Sequence, residues 1–318
     1  MLRYPVIALG LIALVCACGG GATGEGTLPT ATSEPVSTVG SCSPARGAAG
    51  DSAQTVLAGG RDRRFLLHVP AGYDGTTAAP LVVAFHDASS TPEGFAGDSR
   101  LATATDTAGA VVAWPVADSA GGWNDAADAA RADDVSFMRE LLATLDASLC
   151  IDGDRTFVAG YGAGGGMALR VACAMEDEIA AVAVVASSYP NCRANVPLIA
   201  FHGMNDAQIP FEGATRTAST VGSLPVRRLV SEWAREAGCD GLPIISRPSN
   251  EVEVSTFNRC RGGDGEVLLY TIIGGGHIWP GAAPGSGEIT TPQTNASRAI
   301  AEFFATHPPA KADVAAVP

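Results

Sequence analysis

Short apolar segments alternate with amphipathic segments along most of the chain, and this alternation limits the possible folds more than any other feature. The segment at 80–86 reads PLVVAFH and the one at 109–114 reads GAVVAW, and both are short, apolar runs of buried-strand type. By contrast, 133–149 opens with acidic residues and repeats apolar residues at helical spacing. Buried strands alternating with helices predict an α/β protein, with a mostly parallel sheet covered by helices on both faces in one domain.

The remaining elements follow from the same patterns. An alternating pattern typical of an edge strand occurs at 64–69. Further strands are predicted at 155–160, 179–186, 196–202, 251–256 and 266–272. Helices are predicted after a glycine-rich turn up to about residue 175, at 229–237 and at 294–307.

Composition excludes several classes of protein. Of the 318 residues, 47% are hydrophobic and 17% are charged, which supplies a large core and rules out wholesale disorder. The formal net charge of −13 argues against a nucleic-acid partner, which requires a basic surface. It argues equally against electrostatic docking on anionic lipid.

The first 17 residues have the features of a secretory signal. Arg3 precedes an apolar stretch at 6–15 that is too short to span a bilayer. Residues 15–18 read VCAC and resemble the lipobox of bacterial lipoproteins, with Cys18 as the lipidated residue; an ordinary secretion signal cut nearby is the alternative. We therefore expect an exported bacterial protein, either secreted or held at the cell envelope through the lipid alone.

Composition also divides the rest of the chain. Residues 18–41 are rich in Gly, Thr, Ser and Pro without apolar periodicity, which predicts a flexible tether. The folded domain is expected at 42–309 and a disordered tail at 310–318.

Six of the eight cysteines lie after the lipobox-like segment. An even number of cysteines in an exported chain indicates disulfides, although six cysteines allow about fifteen pairings. Nearness along the chain favours two pairs and elimination supplies the third: Cys173–Cys192, Cys239–Cys260 and Cys42–Cys150. A zinc site is not expected, because these cysteines lack C-x-x-C spacing and the five histidines are scattered.

Three distinctive sequences follow predicted strands. The strand at 155–160 runs into GYGAGGGM at 160–167, and a glycine-rich turn between strand and helix is typical of a nucleophile elbow. Asp206 follows the strand at 196–202, and His277 lies in GGGHIWPG after the strand at 266–272. Working residues of such sheets lie just past the carboxyl ends of the strands. The order elbow, Asp, His is the order of the α/β-hydrolase triad.

In these segments the chain resembles the secreted polyhydroxybutyrate depolymerase and feruloyl/acetylxylan esterase group of α/β-hydrolases, including its lipoprotein members. The resemblance extends from about residue 61 to 308 and is most specific in GGGHIWPG. It implies the α/β-hydrolase fold and a carboxylic-ester substrate, either a polymer or a small ester, with no cofactor or metal. The other matching segments are 66–70, 72–74, 81–86, 123–124, 133–135, 151–152, 202–206, 233 and 238–239.

The resemblance also implies roles for individual residues. Asp206 matches the acid that orients the imidazole, and His277 matches the general base. Ala163 matches the residue after the nucleophile, whose backbone N–H is one oxyanion donor. The family has serine at the nucleophile position, where this chain has Gly162, and it usually has glycine in the oxyanion loop, where this chain has Asp87. An inward carboxylate at Asp87 would oppose the charge that the site must stabilise.

Loss of the nucleophile decides the expected function. A serine esterase cannot form its acyl-enzyme without a side chain at position 162. We expect a degenerate hydrolase that binds an ester, an acylated glycan or a partner at the cell surface. The alternative is a working carboxylic-ester hydrolase that uses water, or another side chain, with His277 and Asp206. The serines near strand ends that could be considered as substitutes are Ser89, Ser90, Ser187 and Ser188.

Two further expectations concern the surroundings of position 162. Trp123 and Trp279 lie near strand ends and are either core residues or walls of the substrate site. Gly162→Ser is expected to restore part of an esterase, and the addition of Asp87→Gly is expected to restore more.

Overall fold

The computed structural model describes residues 40–118, 122–188, 192–215, 222–261, 266–282 and 290–307, all within one compact unit, Val39–Pro318. The expected signal segment, the lipidation residue Cys18, most of the expected tether and the expected tail at 310–318 lie outside the described residues. Within the described ranges, no helix is long and apolar enough to cross a membrane.

A ten-stranded sheet forms the centre of this unit, in the order β1-β2-β4-β3-β5-β6-β7-β10-β9-β8. Its strands are β1 (Gly50–Ala58), β2 (Arg61–Val69), β3 (Ala79–Phe85), β4 (Val111–Pro115), β5 (Ile151–Tyr161), β6 (Ala181–Val185), β7 (Leu198–Gly203), β8 (Ile244–Ser246), β9 (Val252–Phe257) and β10 (Val267–Ile272). The central strands from β4 to β10 pair in parallel, and the pairs at both edges are antiparallel. The prediction of a mostly parallel sheet is confirmed.

Helices cover both faces of the sheet, as the alternation predicts. They are α1 (Pro92–Ser99), α2 (Leu101–Thr105), α3 (Asp134–Ser148), α4 (Ala163–Ala174), α5 (Val226–Glu236) and α6 (Ala296–Thr306), with a 3₁₀ turn at Asp106–Ala108. One apolar cluster joins α3, α4 and α5 to the strands, and a second cluster on the other face contains α1, α2 and α6. Successive residues of β3 belong to opposite clusters, because side chains alternate across a strand.

One prediction about the sheet is wrong: β2 is not its edge strand. β1 pairs antiparallel outside it, from Gly50 opposite Val69 to Ala58 opposite Arg61. The sequence of β1 gave no strand signal, because Val56 and Ala58 are its only buried residues. α1, α2 and β8 also escaped prediction, and all three residues of β8 are exposed. A start signal for α1 was present in the sequence, since the Thr91 hydroxyl accepts the Gly94 N–H and Pro92 occupies the first turn.

Three disulfides link distant parts of the described chain. Cys42 is bonded to Cys150 at the start of β5. The other two join Cys173 to Cys192 and Cys239 to Cys260. These are the three pairs that nearness and elimination favour in the sequence.

Candidate functional site

The turn between β5 and α4 has the geometry of a nucleophile elbow. Gly162 sits between strand and helix with φ 54° and ψ −119°, so its φ is positive. Its N–H donates to the Val185 carbonyl at 3.0 Å, and its carbonyl accepts the Gly165 N–H at 3.0 Å. The turn is close to its surroundings: a Cβ at Gly164 would lie 2.5 Å from the carbonyl oxygen of His86. The elbow conformation is therefore held by backbone contacts and needs no side chain at position 162.

An imidazole–carboxylate pair lies past the ends of β7 and β10. Nδ1 of His277 donates to Oδ2 of Asp206 at 2.8 Å. The second carboxylate oxygen, Oδ1, accepts the backbone N–H groups of Gln208 at 2.9 Å and Ile209 at 2.8 Å. Both side chains are buried, with 4% of each residue exposed. The two residues that the sequence predicts as a pair are thus within hydrogen-bond distance.

Asp206 also contacts a second histidine, His202, at the end of β7. Nε2 of His202 lies 3.3 Å from Oδ2 of Asp206 and 2.8 Å from the carbonyl oxygen of Ile209. Burial would raise the pKa of Asp206, but hydrogen bonds from His202, from His277 and from the Ile209 N–H hold that pKa well below its ordinary value. Asp206 is therefore ionised at neutral pH. The spacing of His202 four residues before Asp206 was the available sequence signal for this contact.

Tyr161 connects His277 to the elbow. The two rings lie 5.1 Å apart, and the Tyr161 hydroxyl donates to the His277 carbonyl at 2.8 Å. Because Nδ1 of His277 faces Asp206, Nε2 lies on the opposite side of the ring. Nε2 is buried and has no hydrogen-bond partner among the described residues. In a serine triad this nitrogen takes the proton of the nucleophile.

Asp87 occupies the space that a nucleophile would need. Its Oδ1 accepts the backbone N–H of Ala163 at 2.8 Å, the group expected to stabilise an oxyanion. A Cβ built on Gly162 would overlap Oδ1 of Asp87 and would lie 2.6 Å from its Cγ. The carboxylate therefore engages the expected oxyanion donor and fills the position of the missing side chain at the same time. The expectation that Gly162→Ser restores part of an esterase therefore requires the Asp87 side chain to move away from position 162.

The Asp87 carboxylate is buried, and protein N–H and O–H groups donate hydrogen bonds to both of its oxygens. Its Oδ2 accepts the backbone N–H of Ser89 at 3.1 Å and the Ser89 hydroxyl at 2.6 Å. Burial would raise the pKa of Asp87, but hydrogen bonds from Ser89 and from the Ala163 N–H hold that pKa below its ordinary value. Asp87 is thus a negative charge at the start of α4, where the helix dipole also favours an anion.

The loop that carries Asp87 is fixed by His86. Nδ1 of His86 donates to the Asp87 carbonyl at 2.7 Å, and Nε2 accepts the Ala117 N–H at 3.3 Å. Burial lowers the pKa of His86, which keeps it in this neutral form. The indole N–H of Trp123 donates to the His86 carbonyl at 2.8 Å, so the loop is supported from both sides.

The two tryptophans considered as substrate walls lie inside the protein. Trp123 is 3% exposed and Trp279 is 2% exposed, and each belongs to an apolar cluster on one face of the sheet. Both indole N–H groups are satisfied internally, that of Trp279 by the Ser297 hydroxyl at 2.9 Å. The structure therefore places both as core residues, of which Trp123 also supports the loop carrying Asp87.

No serine near the strand ends is bonded to His277 in the described part of the chain. Ser89 donates to Asp87, and Ser188 donates to the Leu224 carbonyl at 2.6 Å. Ser187 is buried beside Gly165, with its hydroxyl unpartnered. The described residues also contain no cluster of three or more His, Cys, Asp or Glu side chains suited to a metal ion.

Several known proteins are similar to this chain. The family described as "Esterase PHB depolymerase" matches residues 64–205, a stretch that includes Asp87 and Gly162. Feruloyl esterase B of Piromyces equi is 31% identical over 234 residues, which cover 68% of this chain and 42% of that protein, so the match spans less than half of that relative. "Putative esterase NocK" of Nocardia uniformis subsp. tsuyamanensis is 30% identical over 256 residues, covering 72% of this chain and 74% of that protein.

A solved structure shows the same fold. The acetyl xylan esterase from Aspergillus awamori superposes with a TM-score of 0.57 at 17% identity, covering 80% of this chain and 99% of that one.

Proposed function

The chain belongs to the polyhydroxybutyrate-depolymerase-type esterase family of α/β-hydrolases, and from this premise we propose that it is a degenerate member that binds its ligand without hydrolysing it. The observation that carries the proposal is the Asp87 carboxylate, which accepts the Ala163 N–H beside a nucleophile position that is glycine. Ester hydrolysis by this family's chemistry needs an attacking oxygen and a free oxyanion donor. Neither is available at this elbow.

The ligand is an ester-bearing molecule or an acylated glycan at the cell surface. Relatives named feruloyl esterase and acetyl xylan esterase support this class of ligand. Export is supported by the signal-like segment and by three disulfides, which persist in oxidising compartments. Lipidation at Cys18 would hold the domain at the envelope.

A second candidate function, slow hydrolysis by water, is favoured by the retained pair of His277 and Asp206. Asp206 orients the imidazole, and Nε2, which has no partner among the described residues, can take a proton from water. Loss of a triad member typically lowers turnover by several powers of ten. We therefore expect any such activity to be too slow to be the main function.

Turnover separates the two candidates. The purified protein and a His277→Ala variant are compared on short nitrophenyl esters and on methyl ferulate. We expect equal rates, close to that of buffer, together with a rise in melting temperature when an acylated oligosaccharide binds the wild type. A wild-type rate well above that of His277→Ala would support the hydrolase instead. Asp206→Asn is the matched second variant, because it leaves the imidazole in place without its orienting acid.

A further inference from the structure

An exposed apolar patch, here called the β8 patch, lies at one edge of the sheet. It consists of Leu242, Ile244 and Ile245, which are 91%, 61% and 50% exposed. These are half of the six large apolar side chains that are exposed among the described residues. The other three belong to separate parts of the fold and are Leu57 in β1, Met204 after β7 and Ile273 after β10. A group of exposed apolar side chains at one place indicates a surface that binds a partner.

β8 also offers a backbone edge to a partner. It is the last strand of the sheet, and in the described part of the chain it pairs with β9 alone. That pairing is antiparallel, from Ile244 opposite Thr256 to Ser246 opposite Val254. The N–H and C=O groups on the outer side of an edge strand can pair with a strand of another chain. The β8 patch therefore combines apolar side chains with an edge that can extend the sheet.

Covalent and polar contacts fix the segment at both ends. Cys239, just before the patch, is disulfide-bonded to Cys260. After the patch, Nε and Nη2 of Arg247 donate to Oε2 of Glu253 in β9, at 3.0 Å and 2.8 Å. A surface that is held in place before binding loses less conformational entropy when a partner docks. The β8 patch is thus preformed in the single chain.

Charge favours a second copy of the chain as the partner at this edge. The net charge of the chain is −13, so two copies repel each other in general. The segment 222–261 differs, because it contains six arginines and five acidic residues and so has a net charge of +1. Some of these charges are already paired within the chain, as in the salt bridge between Arg227 and Glu253 at 2.9 Å. Two copies therefore repel each other least when this segment of one faces the same segment of the other.

The two ends of the segment are complementary under two-fold symmetry. Asp240 precedes the patch and Arg247 follows it, and more than half of each side chain is exposed. Two identical edge strands that pair antiparallel are related by a two-fold axis, so the patch of one copy meets the patch of the other. The same arrangement brings Asp240 of each copy towards Arg247 of the other.

We infer that two copies of the chain form a symmetric dimer through β8, with the edge strands paired antiparallel and the β8 patches packed against each other. This inference goes beyond the proposed function and does not depend on it. β8 is three residues long, and Pro243 before it has no N–H to donate, so few backbone hydrogen bonds cross the interface. The apolar side chains carry most of the binding, and we expect a small, reversible interface.

Sedimentation velocity of the full chain, from micromolar to millimolar concentration, measures the association. We expect the wild type to shift from monomer to dimer within this range. Ile245→Lys places like charges near each other in the dimer and should raise the dissociation constant by at least about ten-fold. Leu57→Lys is the matched control and should behave as the wild type does. Leu57 is 65% exposed and lies in β1, at the opposite edge of the sheet.

Exchange of charges tests the two-fold arrangement. Asp240→Arg and Arg247→Asp each place like charges at both ends of the interface, so each variant should dimerise more weakly than the wild type. In an equimolar mixture of the two variants, opposite charges meet at both ends. The mixed dimer should therefore be tighter than the dimer of either variant. Circular dichroism and melting temperature establish that each variant is folded.

Several outcomes overturn the inference. These are a wild type that stays monomeric up to millimolar concentration, a dimer that is unchanged by Ile245→Lys, and equal weakening by Leu57→Lys. A mixture of the two charge variants that associates no more tightly than either variant alone would refute the two-fold pairing of β8. A monomeric wild type that binds vesicles of phosphatidylcholine and phosphatidylglycerol would show that a lipid surface, and not a second copy, covers the patch.

Discussion

We predict that serine-esterase activity at this elbow requires two substitutions, Gly162→Ser and Asp87→Gly, and that their effects depend strongly on each other. Gly162→Ser alone places a Cβ where Oδ1 of Asp87 lies. A non-glycine residue at φ 54° already costs about 1–3 kcal/mol. Moving Asp87 away breaks its charge-assisted hydrogen bond to the Ala163 N–H, which is worth about 1.5–3 kcal/mol. We expect the single variant to be less stable than the wild type by about 2.5–6 kcal/mol and to have no more esterase activity.

Asp87→Gly in the same chain removes the obstruction and frees the oxyanion donor. A single oxyanion donor is worth about 100- to 1000-fold in turnover, or about 2.7–4 kcal/mol. The double variant should therefore exceed Gly162→Ser by at least about 100-fold. Asp87→Gly alone should stay inactive, because it supplies no nucleophile. The two substitutions are predicted to be strongly non-additive, with most of the recovered activity in their coupling.

The assay compares all four proteins on p-nitrophenyl acetate and methyl ferulate, with urea denaturation to measure the free energy of unfolding. A fluorophosphonate probe should label the double variant alone, at the introduced serine. Adding His277→Ala to the double variant should abolish both turnover and labelling. If Gly162→Ser is as active as the double variant, Asp87 does not obstruct the elbow. If the double variant is as inert as the wild type, the reasoning about the nucleophile position is wrong.

Three further predictions concern stability. Folding lowers the pKa of Asp206, so its ionised carboxylate stabilises the protein, and this effect is lost as pH falls. Below about pH 4, the free energy of unfolding measured by urea titration should therefore fall more steeply for the wild type than for Asp206→Asn. Equal slopes would contradict this. The Cys42–Cys150 disulfide spans 108 residues and the Cys173–Cys192 disulfide spans 19, so the first restricts the unfolded chain more. Replacing Cys42 and Cys150 by serine should therefore lower the free energy of unfolding, measured by chemical denaturation, by about 1.5 kcal/mol more than replacing Cys173 and Cys192. Trp233→Ala should lower the free energy of unfolding by about 3–5 kcal/mol, because the indole is fully buried; a loss below 1 kcal/mol would show that the cavity collapses.

Local patterns were sufficient to predict most of the fold. Strands such as β3 and β4 are apolar throughout because both of their faces are covered, and α3 repeats its apolar residues at helical spacing. β1 and β8 were missed because their side chains are mostly exposed, so burial left little pattern in their sequences. The role of Trp123 could not be read from its position in the sequence either, since burial and an internal partner for the indole are properties of the folded chain.

The sequence by itself determined which groups stand at the strand ends: glycine at 162, Asp206, His277 and the unexpected Asp87. Only the tertiary structure decided that Asp87 and Gly162 compete for the same space. Their positions are 75 residues apart in the sequence (162 − 87) and meet because β3 lies beside β5 in the sheet. Strand order and side-chain direction depend on how all the strands and helices pack together, so no local pattern encodes them. For that reason the sequence predicted a missing nucleophile, and the fold alone placed a carboxylate in its position.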